Sequence, residues 1–192
     1  MGNTVTCEYF TIDTLDNSVD FGDCVAAHVP SGCANVTRMV KGGGAVYAPS
    51  NQATNIMDYI TIMTTGNATD FGDLTAPYQS LGALADLTRG LFSTANDRGS
   101  GDSYGGGRKD IMDYIAIAST GNASNFGDLS QARQGGAGVC DGTLGIFSCA
   151  DSGNNTNRVD QITVATTGNA TTWGELTIHR HHFGGQCAWD QT

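Results

Sequence analysis

Carboxylates recur at two fixed places in this chain. Asp20, Asp23, Asp70, Asp73, Asp128 and Glu175 flank an aromatic residue, while Glu8, Asp58, Asp113 and Asp160 open a short β-branched run. Such acids could bind calcium, but calcium takes about six to eight oxygens from a compact loop, and neither the EF-hand nor the nonapeptide spacing is present. A carboxylate pair would suffice for glycoside hydrolysis, which spacing alone leaves open. The reading favoured here is structural: an acid beside glycine in D-F-G-D accepts backbone N–H groups in a tight turn, once per repeat. The D-F-G letters have no kinase context, because no Gly-rich loop, strand lysine or H-R-D accompanies them.

Other reactive side chains point the same way. His179-Arg180-His181-His182 would place two imidazoles on one face of a strand, yet no third zinc ligand is identifiable nearby, and a polar loop or terminal strand is expected. Cys7, Cys24, Cys33, Cys140, Cys149 and Cys187 contain no C-x-x-C pair. Cys33, Cys140 and Cys187 fall at nearly the same place in three of the four repeats, so packed free thiols are expected, with a local Cys140–Cys149 bridge as the exception. No nucleophile elbow with a partner His and Asp at family spacing is assigned. Asn-x-Ser/Thr sequons at Asn35, Asn67, Asn122, Asn154 and Asn169 are largely the repeat's own turns. No catalytic, metal or cofactor-binding residue is assigned, and the chain is not expected to be an enzyme.

The elements that must position these groups are four copies of one unit. VDFGD (19–23), TDFGDL (69–74), NFGDL (125–129) and TWGEL (172–176) repeat about every 50 residues. Upstream of them lie EYFTIDTLDNSV, DYITIMTTGNAT, DYIAIASTGNAS and DQITVATTGNAT. In Asp58-Tyr59-Ile60-Thr61-Ile62 the alternation puts Ile60 and Ile62 on one face, a half-buried strand. Phe10 and Ile12, Ile115 and Ile117, and Ile162 and Val164 take the same inward slots. Thr-Gly-Asn then turns the chain into a second strand, predicting a hairpin. Phe21, Phe71, Phe126, Trp173, Tyr9, Tyr59 and Tyr114 are predicted core aromatics. RMVKGG, RGLFS and LGIFS supply a further strand.

Composition agrees. The 27 glycines and three prolines in 192 residues, with no sustained helical stripe, describe short strands and many turns. A net charge of −10 disfavours nucleic acid and anionic membranes as partners. No apolar leader follows a basic start and no long apolar run occurs, so neither a secretory signal nor membrane insertion is expected. The Gly-rich stretch from Asn96 to Lys109 is expected to be a surface loop within one domain spanning residues 1–192.

The order RGLFS, DYITI, TTGNAT, DFGDL resembles a kelch-type β-propeller blade. Tyr9, Tyr59 and Tyr114 match the family's third-strand tyrosine and Trp173 its fourth-strand tryptophan, whereas Gln161 departs and only Gly42-Gly43-Gly44 offers the family's double glycine. Residues 56–76 and 111–133 are also similar to the repeated I-D-Y-I-T-I-A-T-T-G-N-A-T-D-F-G-D-L phrase of structural and fibre-like virion proteins of tailed bacteriophages, especially cyanophages. Residues 1–45 and 177–192 depart from it most.

The resulting expectation is an all-β, propeller-like array of four repeats, approximately 1–45, 46–95, 96–150 and 151–192. It would close through the termini, with His179 to Trp189 joining the N-terminal strands, or by oligomerisation. The phage resemblance implies a virion protein on the tail or capsid exterior, assembled in the host cytoplasm among other virion proteins, and contributing to host-surface attachment. The alternative is a lectin-like carbohydrate-binding module in which Tyr78, Tyr104 and Trp189 contact a surface glycan.

Overall fold

The alternating phrases do form strands, and the apolar slots of each strand set which sheet face is covered. The computed structural model describes residues 6–25, 30–46, 52–97, 107–150 and 156–178, without the side chains of residues 149, 150 and 156. Within these residues the chain is all-β: every sheet is antiparallel, no helix occurs, and no sheet closes on itself. Strands β1 (Thr6–Tyr9) and β2 (Val19–Asp23) make a hairpin. Next come β3 (Ser31–Ala34), β4 (Arg38–Gly42), β5 (Ala45–Val46), β6 (Gln52–Thr61) and β7 (Thr69–Tyr78), in which β4 and β7 flank β6 and β5 extends it. The third sheet runs β8 (Gly82–Ala85), β9 (Arg89–Ser93), β10 (Lys109–Ala116) and β11 (Ser124–Arg133). The fourth runs β12 (Ala137–Cys140), β13 (Leu144–Ala150), β14 (Thr156–Thr163) and β15 (Thr171–Glu175).

Register fixes the equivalences between units. Cys7, Met57, Met112 and Val159 pair with Gly22, Gly72, Gly127 and Gly174, and the next residues, Glu8, Asp58, Asp113 and Asp160, pair two positions earlier on the partner strand. Phe21, Phe71, Phe126 and Trp173 are therefore the extra residue of a β-bulge in every unit. A bulge bends its strand and takes one residue out of the ladder, which re-aims that residue's backbone groups. The first sheet is the counterpart of only the last two strands of the others.

Turn chemistry is repeated too. Asn35, Asp86 and Asp141 each accept two backbone N–H groups through Oδ1, from Thr37 and Arg38, Thr88 and Arg89, and Thr143 and Leu144. These Asx turns close the hairpin between the first two strands of the second, third and fourth sheets, β3–β4, β8–β9 and β12–β13. The Asn35 sequon thus has its side chain committed to a turn. After the second strand Gly43 (φ +65°) and Thr94 (φ +54°) hold the same left-handed conformation. Glycine takes it without strain, whereas buried Thr94 uses its Oγ1 to accept hydrogen bonds from Gly82 N–H and Gly136 N–H.

Two clusters of buried side chains lie between successive sheets. One joins Val40, Met57 and Phe71 to Phe92, Ile115 and Ile117; the other joins Leu84, Leu91 and Phe126 to Phe147, Ile162 and Val164. Cys33 belongs to the first cluster and Cys140 to the second. Their registers explain this: Cys33 pairs with Val40 but Cys140 pairs with Gly145, the counterpart of Met39, so the two cysteines are one position apart and face opposite ways. The near-equivalence read from sequence is corrected accordingly. The Cys149 side chain and all of Cys187 lie outside the described residues.

Candidate functional site

The seams between units gather most of the repeated polar residues. At each seam the bulged aromatic turns its carbonyl outward, and the Gly-Asn turn of the following unit docks on it. Gly66 N–H donates to Phe21 C=O, Gly121 N–H to Phe71 C=O and Gly168 N–H to Phe126 C=O, each at 2.7 Å. Two residues on, Ala68, Ala123 and Ala170 N–H donate to the carbonyls of Asp23, Asp73 and Asp128. In return the N–H groups of those three aspartates donate to Oδ1 of Asn67, Asn122 and Asn169 at 3.0–3.1 Å. The Thr-Gly-Asn phrase therefore connects hairpin strands and also latches one unit to the one before it.

Close approach explains the glycine in D-F-G-D. A Cβ on Gly22, Gly72 or Gly127 would lie 2.3–2.5 Å from the carbonyl oxygen of Gly66, Gly121 or Gly168, and all three have φ between +137° and +148°. Only glycine fits both requirements.

A second set of links runs through the buried acids. Asp113 accepts Thr75 N–H and Thr75 Oγ1–H, and Asp160 accepts Ser130 N–H and Oγ–H, in each case from the preceding unit. Asp58 accepts Val25 N–H in the same way. Burial raises the Asp113 pKa while the two hydrogen bonds from Thr75 oppose it. Asp160 also pairs with buried Arg133 at 2.9 Å, and Asp58 pairs with Lys41 at 3.3 Å. These first-strand acids bind the preceding unit, whereas the tight-turn role expected of the D-F-G-D acids once per repeat does not recur. Asp20 alone among the D-F-G-D acids accepts a local N–H, from Gly22, while Asp73 and Asp128 take part through their backbones.

Arginines that no sequence signal singled out complete the seams. Arg38 stacks over Tyr59 at 4.6 Å and donates to the carbonyls of Ile117 and Ala118; Arg89 lies over Tyr114 at 5.1 Å and donates to Val164 C=O. The signal that could have found them is an arginine opening RMV and RGLF, one strand from the repeated tyrosine.

The predicted core aromatics divide by position in the row. Phe21, Phe71 and Phe126 are buried, and Tyr9, Tyr59 and Tyr114 meet them edge to face with centroids 5.9 Å apart. Trp173 is 62 % exposed, since among the described residues nothing covers the outer face of the last sheet, and Tyr9 is 41 % exposed, bordering an open space between the first hairpin and the next sheet. Inward slots show the same gradient. Ile115, Ile117, Ile162 and Val164 are buried, whereas Ile62 is partly open and Phe10 and Ile12 are exposed. Tyr78, expected to be an exposed ligand contact, is 6 % exposed at the end of β7, in the slot that Arg133 holds in the next unit. Tyr104, Trp189 and the histidine cluster lie outside the described residues.

One large cavity, ≈ 710 Å³, opens beside β1. Ile60, Ile62 and Met39 line it from one sheet, Ala83–Ala85 and Gly138 from the next two, and Glu8, Tyr9 and Phe10 from the hairpin. It lies beside the first hairpin, which among the described residues has no counterparts of β3 and β4. Among the described residues no group of three or more His, Cys, Asp or Glu could hold a metal ion, and no helix is long and apolar enough to cross a membrane.

No family model and no curated protein matches the chain. Among solved structures it is similar to YjhT, with a TM-score of 0.74 at 7 % identity, over 92 % of this chain and 61 % of that one. The likeness is one of fold. This chain spans about three fifths of the length of that structure.

Proposed function

We propose that this protein is a structural component of a bacteriophage virion, on the tail or capsid exterior, that contributes to host-surface attachment together with other virion proteins. Its sheets are read as propeller-like blades, with β3, β8 and β12 innermost. The observation that carries the reading is the latch. In the phrase that resembles phage structural proteins, the Gly-Asn turn, the glycine of D-F-G-D and the buried acids hold unit to unit. A residue set used up in holding units together suits a part of an assembly, and in a structural protein the repeat is the function.

The assignment is tested by mass spectrometry and immunogold labelling of density-banded particles from a lysate containing this protein. The chain is expected in the particle band, with gold on its exterior. Recovery only in the soluble fraction, at the same expression level, would refute the virion role.

A further inference from the structure

Among the described residues, the two ends of the row carry the two halves of the latch, each without its mate. At one end stand Trp173, Gly174 and Glu175, the counterparts of Phe126-Gly127-Asp128. Trp173 is largely exposed, and a Cβ on Gly174 would meet nothing within 4 Å. Thr177, the counterpart of Thr75 and Ser130, is exposed beside them. At the other end stand Asp16-Asn17-Ser18, in the place of Gly66-Asn67-Ala68, together with Ile12 and with Glu8 in the place of the buried aspartates. Ile12 is 90 % exposed, against 37 % for its counterpart Ile62 and full burial of Ile117 and Val164.

We infer that these faces dock on one another between two copies of the chain, head to tail, by repeating the seam that the molecule already makes three times. Asp16 N–H of the second copy donates to Trp173 C=O, Glu175 N–H donates to Oδ1 of its Asn17, and its Ser18 N–H donates to Glu175 C=O. Its Glu8 accepts Thr177 Oγ1–H, and its Ile12 packs on Trp173. A second copy is favoured as occupant because donors, acceptors and apolar residues correspond slot by slot with an interface established inside the chain. Among the described residues nothing covers Trp173 or fills the space beside Gly174. Leu144 stands where Arg38 and Arg89 bridge the internal seams, so the contact between copies is weaker than those within one. Such a contact is heterologous and builds rings or filaments.

The proposal deepens the reading of the chain as an assembly part, yet it fails separately: a monomer in solution sinks the docking, whereas absence from particles sinks the virion role. Sedimentation velocity of the 192-residue chain over a concentration series is expected to show self-association. Gly174→Val keeps the thermal midpoint of the parent, since its side chain points into open space, and weakens association at least about a hundredfold. Asn17→Ala weakens it about tenfold from the opposite face. Mixing Gly174→Val with a variant spoiled at the other end, Asn17→Ala with Ile12→Asp, gives dimers and nothing larger, because one intact face remains on each. A parent chain that stays monomeric at hundreds of micromolar (about the range of weak assembly contacts) overturns the proposal. So does a folded Gly174→Val variant that associates like the parent.

Discussion

Gly127 and Gly174 occupy the same position in successive units but sit in different surroundings. At Gly127 an added Cβ meets the Gly168 carbonyl at 2.3 Å and φ is +148°; at Gly174 it meets nothing within 4 Å. Gly127→Val should therefore lose about 3 kcal/mol or more, from a seam forced open and a strained backbone. Gly174→Val should stay within about 0.5 kcal/mol of the parent. Urea unfolding of both variants checks the contrast. At Cys33, burial pushes the thiol from 9.0 to about 12. Between those values the unfolded chain releases a proton that the folded chain keeps. The thiol's contribution to stability is therefore complete below pH 9 and falls as pH rises towards 12, by about 1.4 kcal/mol per pH unit. Unfolding midpoints measured across that window should fall less steeply for Cys33→Ala, and an unchanged slope would show that Cys33 is not what titrates.

At the scale of the element, the bulge turns a repeated phrase into a latch. It removes Phe21, Phe71 and Phe126 from the ladder, so their carbonyls are available to the next unit's turn. Asn122→Ala should cost about 1 kcal/mol, since Asp73 N–H loses its acceptor at a seam. Asn67→Ala and Asn169→Ala should cost the same, and Asn17→Ala almost nothing in the monomer; thermal melts of the four variants decide it. Alternation in Asp58 to Ile62 and the recurrence of Thr-Gly-Asn made strands and hairpins legible in the sequence. The bulge was not legible, because the aromatic fits a plain alternating pattern as well. Nor was the buried state of Tyr78: proline and glutamine around it suggest a loop, yet β7 runs to Tyr78 itself. Trp173 and Tyr9 were misplaced for a different reason. Repetition shows what a unit needs from its neighbours but not which units have them.

At the scale of the whole molecule, stability is shared along a row. The third sheet buries one face on the second sheet and the other on the fourth, so its stability is the sum of its own pairing and two seams, whereas the fourth sheet has one such seam among the described residues. Arg133 and Asp160 tie the third and fourth sheets by a fully buried pair. Arg133→Met should cost about 3–5 kcal/mol, because Asp160 stays buried without its cation. Its effect should appear in calorimetry as earlier melting of the last sheet, and a uniform shift of one transition would argue for tighter coupling along the row. The latch itself is tested most directly by native-state hydrogen exchange at the turn amides of Gly66, Gly121 and Gly168. Though they lie outside every strand, they are predicted to exchange as slowly as ladder amides such as Tyr59 and Tyr114, while the Asp16 amide of the monomer exchanges fast. Exchange of all four at the rate of an exposed loop would contradict the latch.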